Sequence, residues 1–147
     1  MACVFCEIAQ GRVPAPVVFE DHASLAFLDH RPLFAGHVLL IPRDHVETLA
    51  ELPRTRNGDF LGNVQVLCRA LEAGLGAEGT FVAVNNRVSQ SVPHLHVHIV
   101  PRHRGDGLKG FFWPRRKYAN EQELSEVQQK VRQAATLISE EEVKRKT

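Results

Sequence analysis

Apolar residues fall into short runs typical of β-strands and into two longer stretches with helical spacing. The runs at 17–19 and 25–28 are separated by a more polar segment, which predicts a β-hairpin. Three further runs, at 37–42, 80–84 and 94–100, also predict strands, and the first and last of these stop at a proline.

The two longer stretches repeat their apolar residues at the spacing of an amphipathic helix. The first covers 60–75 and ends at Gly74 and Gly76. The second covers 124–138, and a capping-box pattern begins just before it at Asn120. Strands and helices in this order predict an α+β fold, in which an antiparallel sheet packs against a long helix and a C-terminal helix follows.

Length and composition indicate an ordinary globular protein. The 147 residues include 18 basic and 17 acidic ones, and the near-neutral charge disfavours nucleic acid as a partner. We expect a core over residues 1–104 and a C-terminal extension over 105–147 in the same globular unit. No apolar run approaches the length of about 18 residues that a membrane span needs, and residues 1–10 do not resemble a signal peptide. Three cysteines fit a reduced, cytoplasmic protein.

Histidine is concentrated in one predicted strand. Of eight histidines, His94, His96 and His98 alternate with apolar residues in HLHVHIV, residues 94–100. Since successive side chains of a strand point to opposite faces, the three imidazoles share one face and the apolar residues between them face the core. A solvated strand face is the simpler interpretation. Three imidazoles in five residues instead indicate a use for groups that titrate near neutral pH.

The three histidines are too far apart to bind one metal ion together. A rise of about 3.3 Å per residue separates the first from the third by about 13 Å, whereas zinc–nitrogen bonds are about 2.0–2.1 Å long. Two neighbours can share a metal, but the remaining side chain then needs a different task.

The pattern His-φ-His-φ-His-φ-φ resembles that of the histidine triad (HIT) superfamily, in particular its Hint-like and bacterial members. Residues 26–45 resemble the nucleoside-binding segment of the family, and residues 90–94 (QSVPH) resemble the approach to its triad. The resemblance extends over residues 3–104. The combination is far more specific than an isolated HxHxH motif.

The resemblance implies an enzyme that acts at the α-phosphate of a purine nucleotide. His96 would attack phosphorus and form a nucleotidyl-histidine intermediate, while its other ring nitrogen donates to a fixed acceptor such as a main-chain carbonyl. His98 would bind the phosphate oxygens and stabilise the developing charge. Ser91 would contact the leaving group, and Asn85 and Gln90 the phosphate.

The resemblance also implies roles for two residues upstream of the triad. Asp29 would accept hydrogen bonds from the ribose hydroxyls, and the alternative is a carboxylate that merely caps a turn. His37 would support the triad as a neighbouring partner of the substrate site. On the sequence alone, a half-buried histidine with a satisfied ring is an equal alternative.

Cys3 and Cys6 form a CxxC pair with the spacing of two ligands of a tetrahedral zinc ion. A thioredoxin-like role is disfavoured because no βαβ pattern surrounds the pair. The resemblance implies that His45 and His94 complete a structural zinc site, which the chemistry itself does not require. Two free thiols are the alternative. Cys68 lies on the apolar face of the first predicted helix and is expected in the core.

Two segments depart from the family pattern. The loop 85–90 is shorter than the usual glycine-rich loop and contains no glycine. The segment 102–118 is basic and carries Phe111, Phe112 and Trp113. It either binds further phosphates, a leaving group or a base, or it packs these aromatic residues against a partner subunit.

The leading hypothesis is a HIT-type hydrolase of a nucleoside phosphoramidate. A dinucleoside polyphosphate hydrolase or phosphorylase shares the same first half-reaction and stays open. A nucleotide-binding regulatory protein with an inactive site is the alternative from another class. A further alternative is a zinc-dependent hydrolase in which two triad histidines are ligands of a catalytic metal ion. Because family members are commonly homodimers, the resemblance also implies a homodimer. We expect no membrane partner.

Overall fold

The computed structural model describes residues 2–108 and 116–146, and the chain divides into two compact units, residues 1–108 and 109–147. All the predicted site residues belong to the first unit. That the extension joins the core in one globular unit stays a prediction. No helix within the two described ranges is long and apolar enough to cross a membrane.

The first unit is built on a five-stranded antiparallel sheet with the strand order β1-β2-β3-β5-β4. The sheet and the helices packed on it confirm the predicted α+β fold. β3 pairs with both β2 and β5, and Leu39 of β3 lies opposite His98 of β5. This register brings the loop before β3 next to the histidine strand. The strands are β1 (Val17–Glu20), β2 (Ser24–Leu28), β3 (Val38–Pro42), β4 (Gly79–Ala83) and β5 (Val97–Arg102).

The histidine strand begins later than the sequence predicts. β5 starts at Val97, so His94 and His96 lie in the segment that leads into it. The N–H of Leu95 donates to the carbonyl of Val46 at 2.7 Å, so this segment bonds to the chain after β3 rather than to a strand of the sheet. The predicted alternation of apolar and histidine side chains is retained.

The main hydrophobic core lies between the sheet and α2 (Asn57–Leu75), which ends where Gly76 takes a left-handed φ of 66°. Burial of each such aliphatic or aromatic side chain contributes about 1.5–3 kcal/mol. The core therefore anchors the apolar side of the histidine segment firmly against α2. Its buried members include Phe60, Leu67 and Leu71 from the helix and Leu95, Val97 and Ile99 from the histidine segment.

A smaller core on the other face of the sheet holds α1 (Val4–Ala9), a helix that the sequence analysis did not predict. A six-residue helix is not stable alone. Phe5 anchors it, because its ring packs edge-on against Phe27 at a centroid distance of 5.5 Å. Its six residues are too short a window to establish helical periodicity, which is why α1 was missed.

The second unit contains α3 (Glu121–Lys146), which agrees with the predicted C-terminal helix. The N–H of Glu123 donates to the side-chain oxygen of Asn120 at 2.8 Å, as the capping pattern predicts. Its apolar residues, such as Val131, are largely exposed. The aromatic residues 111–113, for which two roles were open, lie outside the described residues.

Candidate active site

His94 is fully buried, and a main-chain contact determines which of its ring nitrogens is protonated. Its Nε2 lies 2.9 Å from the carbonyl oxygen of Pro42. Because a carbonyl can only accept, Nε2 carries the proton and Nδ1 keeps a lone pair. Burial lowers the pKa of His94. The ring is therefore neutral near pH 7, and its Nδ1 is able to act as a ligand.

Nδ1 of His94 lies within a cluster formed with Cys3, Cys6 and His45, whose four ligand atoms are all within 4.8 Å of one another. Nδ1 of His94 is 3.5 Å from each sulfur, and Sγ of Cys6 is 3.2 Å from Nδ1 of His45. Zinc bonds of about 2.3 Å to sulfur and about 2.0–2.1 Å to nitrogen, at tetrahedral angles, separate sulfur from nitrogen by about 3.6 Å. The four side chains therefore fit a tetrahedral metal ion.

His96 is almost completely buried and has the opposite tautomer to His94. Its Nδ1 lies 2.8 Å from the carbonyl oxygen of His94, so Nδ1 is the protonated nitrogen. This is the main-chain acceptor that the sequence analysis expected. In the neutral form of the ring, the lone pair is consequently on Nε2, and an imidazole nitrogen with a free lone pair is a nucleophile.

Phe5 packs against these rings and is a site residue that the sequence analysis missed. Its ring lies edge-on to His96 at a centroid distance of 5.2 Å and to His94 at 5.9 Å. Since α1 also carries Cys6, the same helix contributes to the metal-ligand cluster and packs against the candidate nucleophile. No feature of the sequence identifies this role, because it depends on where α1 docks.

His98 is close to both His96 and His37. Its ring centroid is 5.0 Å from that of His96, and its Nδ1 is 3.0 Å from Nε2 of His37. Burial, together with the two neighbouring histidines, lowers the pKa of His98 to about 4, and burial also lowers the pKa of His37. Both rings are therefore neutral near pH 7.

Asp29 and His37 lie at the two ends of the loop between β2 and β3 and face each other. The N–H of Asp29 donates to the carbonyl of His37 at 2.8 Å, and the Asp29 carboxylate lies 3.8 Å from Nε2 of His37. One carboxylate oxygen also accepts from the N–H of Arg31 at 2.9 Å. Asp29 thus caps a turn, the simpler alternative, while it also lies beside the histidine pair.

The glycine-free loop 85–90 is held together by the side chain of Gln90. Its Nε2 donates to the carbonyl of Glu47 at 2.6 Å, and its Oε1 accepts from the N–H of Arg87 at 2.7 Å. Arg87 and Ser89 have φ values of 67° and 60°, a region that usually favours glycine. The loop therefore reaches left-handed geometry without glycine, through side-chain bonds to the main chain.

The residues predicted to contact the phosphate or the leaving group differ in their surroundings. Asn85 and Ser91 are exposed at either end of this loop. The amide of Gln90, in contrast, is bonded to main-chain groups at both of its ends. For Gln90 to contact phosphate, one of these two hydrogen bonds would have to break.

The chain belongs to the HIT family, since the family model described as the HIT domain matches residues 10–105. This range includes Asp29, His37 and all three histidines of the triad. With the site geometry above, the match confirms the family that the His-φ-His-φ-His pattern indicated.

Two curated relatives have high identity to the chain. An uncharacterised HIT-like protein of Methanocaldococcus jannaschii is 43% identical over 107 residues, which is 71% of this chain and 82% of the relative. The adenosine 5′-monophosphoramidase hnt1 of Schizosaccharomyces pombe is 37% identical over 116 residues, 78% of this chain and 84% of the relative. The HIT family to which the chain belongs thus includes nucleotide hydrolases.

A solved structure adds a metal to the comparison. A zinc-bound histidine triad family protein from Mycobacterium smegmatis is 39% identical, with a TM-score of 0.70 over 79% of this chain and 86% of that one. The zinc-bound family member and the Cys3–Cys6–His45–His94 cluster are thus two independent observations that bear on a metal site.

The low pKa of His98 predicts a specific pH dependence of stability. Its folded-state pKa of about 4 lies below the ordinary value of 6.5, so the unfolded chain binds more protons between these pH values. Stability contributed by neutral His98 is present above about pH 6.5 and is lost as the pH falls towards about 4. In urea titrations, we expect the unfolding free energy of the wild type to rise between pH 4 and 6.5. We expect a smaller rise for His98→Gln. An unchanged pH slope in the variant would contradict the assignment.

Proposed function

We propose that the protein hydrolyses a purine nucleoside phosphoramidate at the α-phosphate through a nucleotide bound covalently to His96. The observation that carries the proposal is the 2.8 Å contact between Nδ1 of His96 and the carbonyl of His94. It commits the ring proton to Nδ1 and leaves the Nε2 lone pair for attack. The phosphoramidase name of the Schizosaccharomyces pombe relative supports this choice of substrate.

The reaction consists of two displacements at phosphorus. In the first, a bond forms between Nε2 of His96 and the α-phosphorus, and the bond from phosphorus to the leaving nitrogen breaks. The leaving group departs as an amine after taking up a proton. In the second, water attacks phosphorus, the bond to His96 breaks, and the nucleoside monophosphate and a proton are released. Covalent catalysis of this kind replaces one difficult step by two easier ones.

Residues around His96 bind the substrate in this proposal. His98 donates to the phosphate oxygens and stabilises the charge that develops on them. Asn85 and Gln90 contact the phosphate, and Ser91 contacts the leaving group. Asp29 accepts hydrogen bonds from the ribose hydroxyls, a role that suits a half-buried carboxylate 3.8 Å from His37.

The proposed cofactor is a structural zinc ion bound by Cys3, Cys6, His45 and His94. The tetrahedral spacing of their ligand atoms and the zinc-bound family member support it. A bound zinc ion would supply a cross-link between α1 and the chain around the triad. The reacting nitrogen belongs to His96, which is outside this ligand set, so the proposed displacement needs no metal at phosphorus.

A reducing, cytoplasmic location and a homodimer belong to the same proposal. Cys3, Cys6 and Cys68 form no disulfide, which supports the location. The homodimer follows from the family resemblance, and light scattering of the purified protein tests it.

Loss of the nucleophile should abolish turnover. We expect wild type to hydrolyse adenosine 5′-phosphoramidate, and His96→Ala and His96→Gly to lower kcat by at least about 10³-fold, because a covalent nucleophile accounts for much of the rate acceleration. Release of AMP, followed by chromatography, is the measurement. Diadenosine polyphosphate is assayed in parallel, since faster turnover of it would favour the polyphosphate hydrolase alternative.

The matched control is His103→Ala, which removes an exposed histidine outside the site and should retain wild-type turnover. Full activity of His96→Ala would refute the covalent mechanism. Activity of wild type that disappears on chelation, while the protein stays folded, would instead favour a catalytic metal.

Metal content tests the zinc site separately from activity. We expect purified wild type to contain about one zinc ion per chain, and the double variant Cys3→Ser/Cys6→Ser to lose it, because serine is a much poorer zinc ligand than a thiolate. Cys68→Ser is the matched control and should keep the metal. Inductively coupled plasma mass spectrometry gives the stoichiometry. An unchanged metal content in the double variant would show that the ion is bound elsewhere.

A further inference from the structure

The loop between β2 and β3 provides a hydrogen bond to His37 that no motif of the sequence indicates. The main-chain N–H of Leu33 lies 3.1 Å from Nδ1 of His37. A main-chain N–H is always a donor, so Nδ1 of His37 is the acceptor. In the neutral ring, the single proton must then be on Nε2.

The proton on His37 determines the tautomer of the next ring. Nε2 of His37 is 3.0 Å from Nδ1 of His98. Since Nε2 of His37 is the donor, Nδ1 of His98 is the acceptor, and the proton of neutral His98 is on its own Nε2. The chain of donors therefore runs from Leu33 through His37 to His98. It leaves an N–H at the far end of His98.

We propose that the main-chain N–H of Leu33, acting through His37, holds His98 in the tautomer with the proton on Nε2, and so makes His98 a hydrogen-bond donor to the phosphate. Leu33 and His37 are positioning residues in this scheme, because neither needs to contact the substrate. The task assigned to His98 rests on the proposed function. The tautomer does not, since it follows from contacts within the protein.

The opposite tautomers of two neighbouring histidines allow the two rings to have different chemical roles. A carbonyl next to His96 takes the proton of its Nδ1 and leaves a lone pair on Nε2. An amide acting on His98 through His37 has the reverse effect and leaves a proton on Nε2. One ring thus has a nucleophilic nitrogen and the other a donor, although both lie on the same face of one segment.

The position of the Leu33 amide is determined by the closure of its loop. The N–H of His37 donates to the carbonyl of Phe34 at 3.0 Å, and the N–H of Asp29 donates to the carbonyl of His37 at 2.8 Å. Gly36 has a φ of 97°, which other residues rarely adopt. The loop that contains the predicted ribose-binding carboxylate therefore also sets the proton position on His98.

The same bond argues against a second metal site at these residues. Asp29, His37 and His98 offer ligand atoms within 4.8 Å of one another, a spacing that suits a metal ion. Binding a metal through Nε2 of His37 would move the ring proton to Nδ1. Nδ1 would then face the Leu33 N–H as a second donor, and both groups would lose a partner. The geometry favours a chain of hydrogen bonds instead.

Long-range proton–nitrogen correlation spectra of protein labelled with ¹⁵N-histidine test the tautomers directly, because they report which ring nitrogen is protonated. For substrate-free wild type at neutral pH, we expect the proton on Nε2 for His37 and His98 and on Nδ1 for His96. A His98 resonance pattern with the proton on Nδ1 would overturn the proposal.

Two substitutions of His37 distinguish a positioning role from simple packing. Glutamine offers an oxygen acceptor and an N–H donor, so His37→Gln should keep the proton of His98 on Nε2 and retain most of kcat. His37→Leu offers neither group and should give a mixture of His98 tautomers. We expect it to lower kcat by about 10- to 100-fold, by analogy with the loss seen when the hydrogen-bond partners that orient metal-ligating histidines are removed. KM should change little, because the lost donor acts mainly on the transition state.

Leu33→Pro removes the amide proton while leaving His37 in place, and Leu33→Ala is the matched control that keeps it. We expect the tautomer shift in the proline variant alone. A loss of kcat in His37→Leu with His98 still protonated on Nε2 would overturn the scheme.

Failure of this inference and failure of the proposed function give different results. Predicted tautomers in a protein that hydrolyses no nucleotide would support the hydrogen-bond chain and refute the function. Efficient hydrolysis by a protein with His98 protonated on Nδ1 would support the function and refute the chain.

Discussion

Hydrogen bonds from histidine rings to main-chain groups are the interactions on which the site depends. An imidazole offers one donor and one acceptor when it is neutral, so a fixed partner at one nitrogen determines what the other can do. The carbonyl of Pro42 leaves His94 a lone pair that faces two thiols. The carbonyl of His94 leaves His96 a lone pair on Nε2, the atom proposed to attack phosphorus. Main-chain geometry, fixed by the sheet and its core, thereby assigns different chemistry to identical side chains.

His94 connects the metal-ligand cluster to the candidate nucleophile. Its ring belongs to the cluster with Cys3 and Cys6, at the start of α1, while its main-chain carbonyl accepts from Nδ1 of His96. Phe5 of the same helix packs edge-on against His96. On the other side, pairing of β3 with β5 brings His37 beside His98. The short helix thus contacts His96, and the β2–β3 loop contacts His98 through His37.

The sequence predicted those parts of the structure that leave a periodic pattern or match a family motif. Alternation of His94, His96 and His98 with apolar residues identified the face of the segment, and helical spacing identified α2. Resemblance to the HIT family indicated Asp29 and His37, which the structure brings within 3.8 Å of each other.

The parts that could not be predicted depend on contacts between distant segments. α1 has only six residues, too few to establish a helical period, so neither its docking nor the position of Phe5 could be predicted. The left-handed φ of Arg87 is obtained through a bond to Gln90, not through glycine.

The covalent role of His96 is tested most directly by the stereochemistry at phosphorus, using a nucleoside thiophosphoramidate of known α-phosphorus configuration hydrolysed in ¹⁸O-enriched water. Two successive in-line displacements predict net retention, whereas net inversion would show direct attack by water and contradict a nucleotidyl-histidine intermediate.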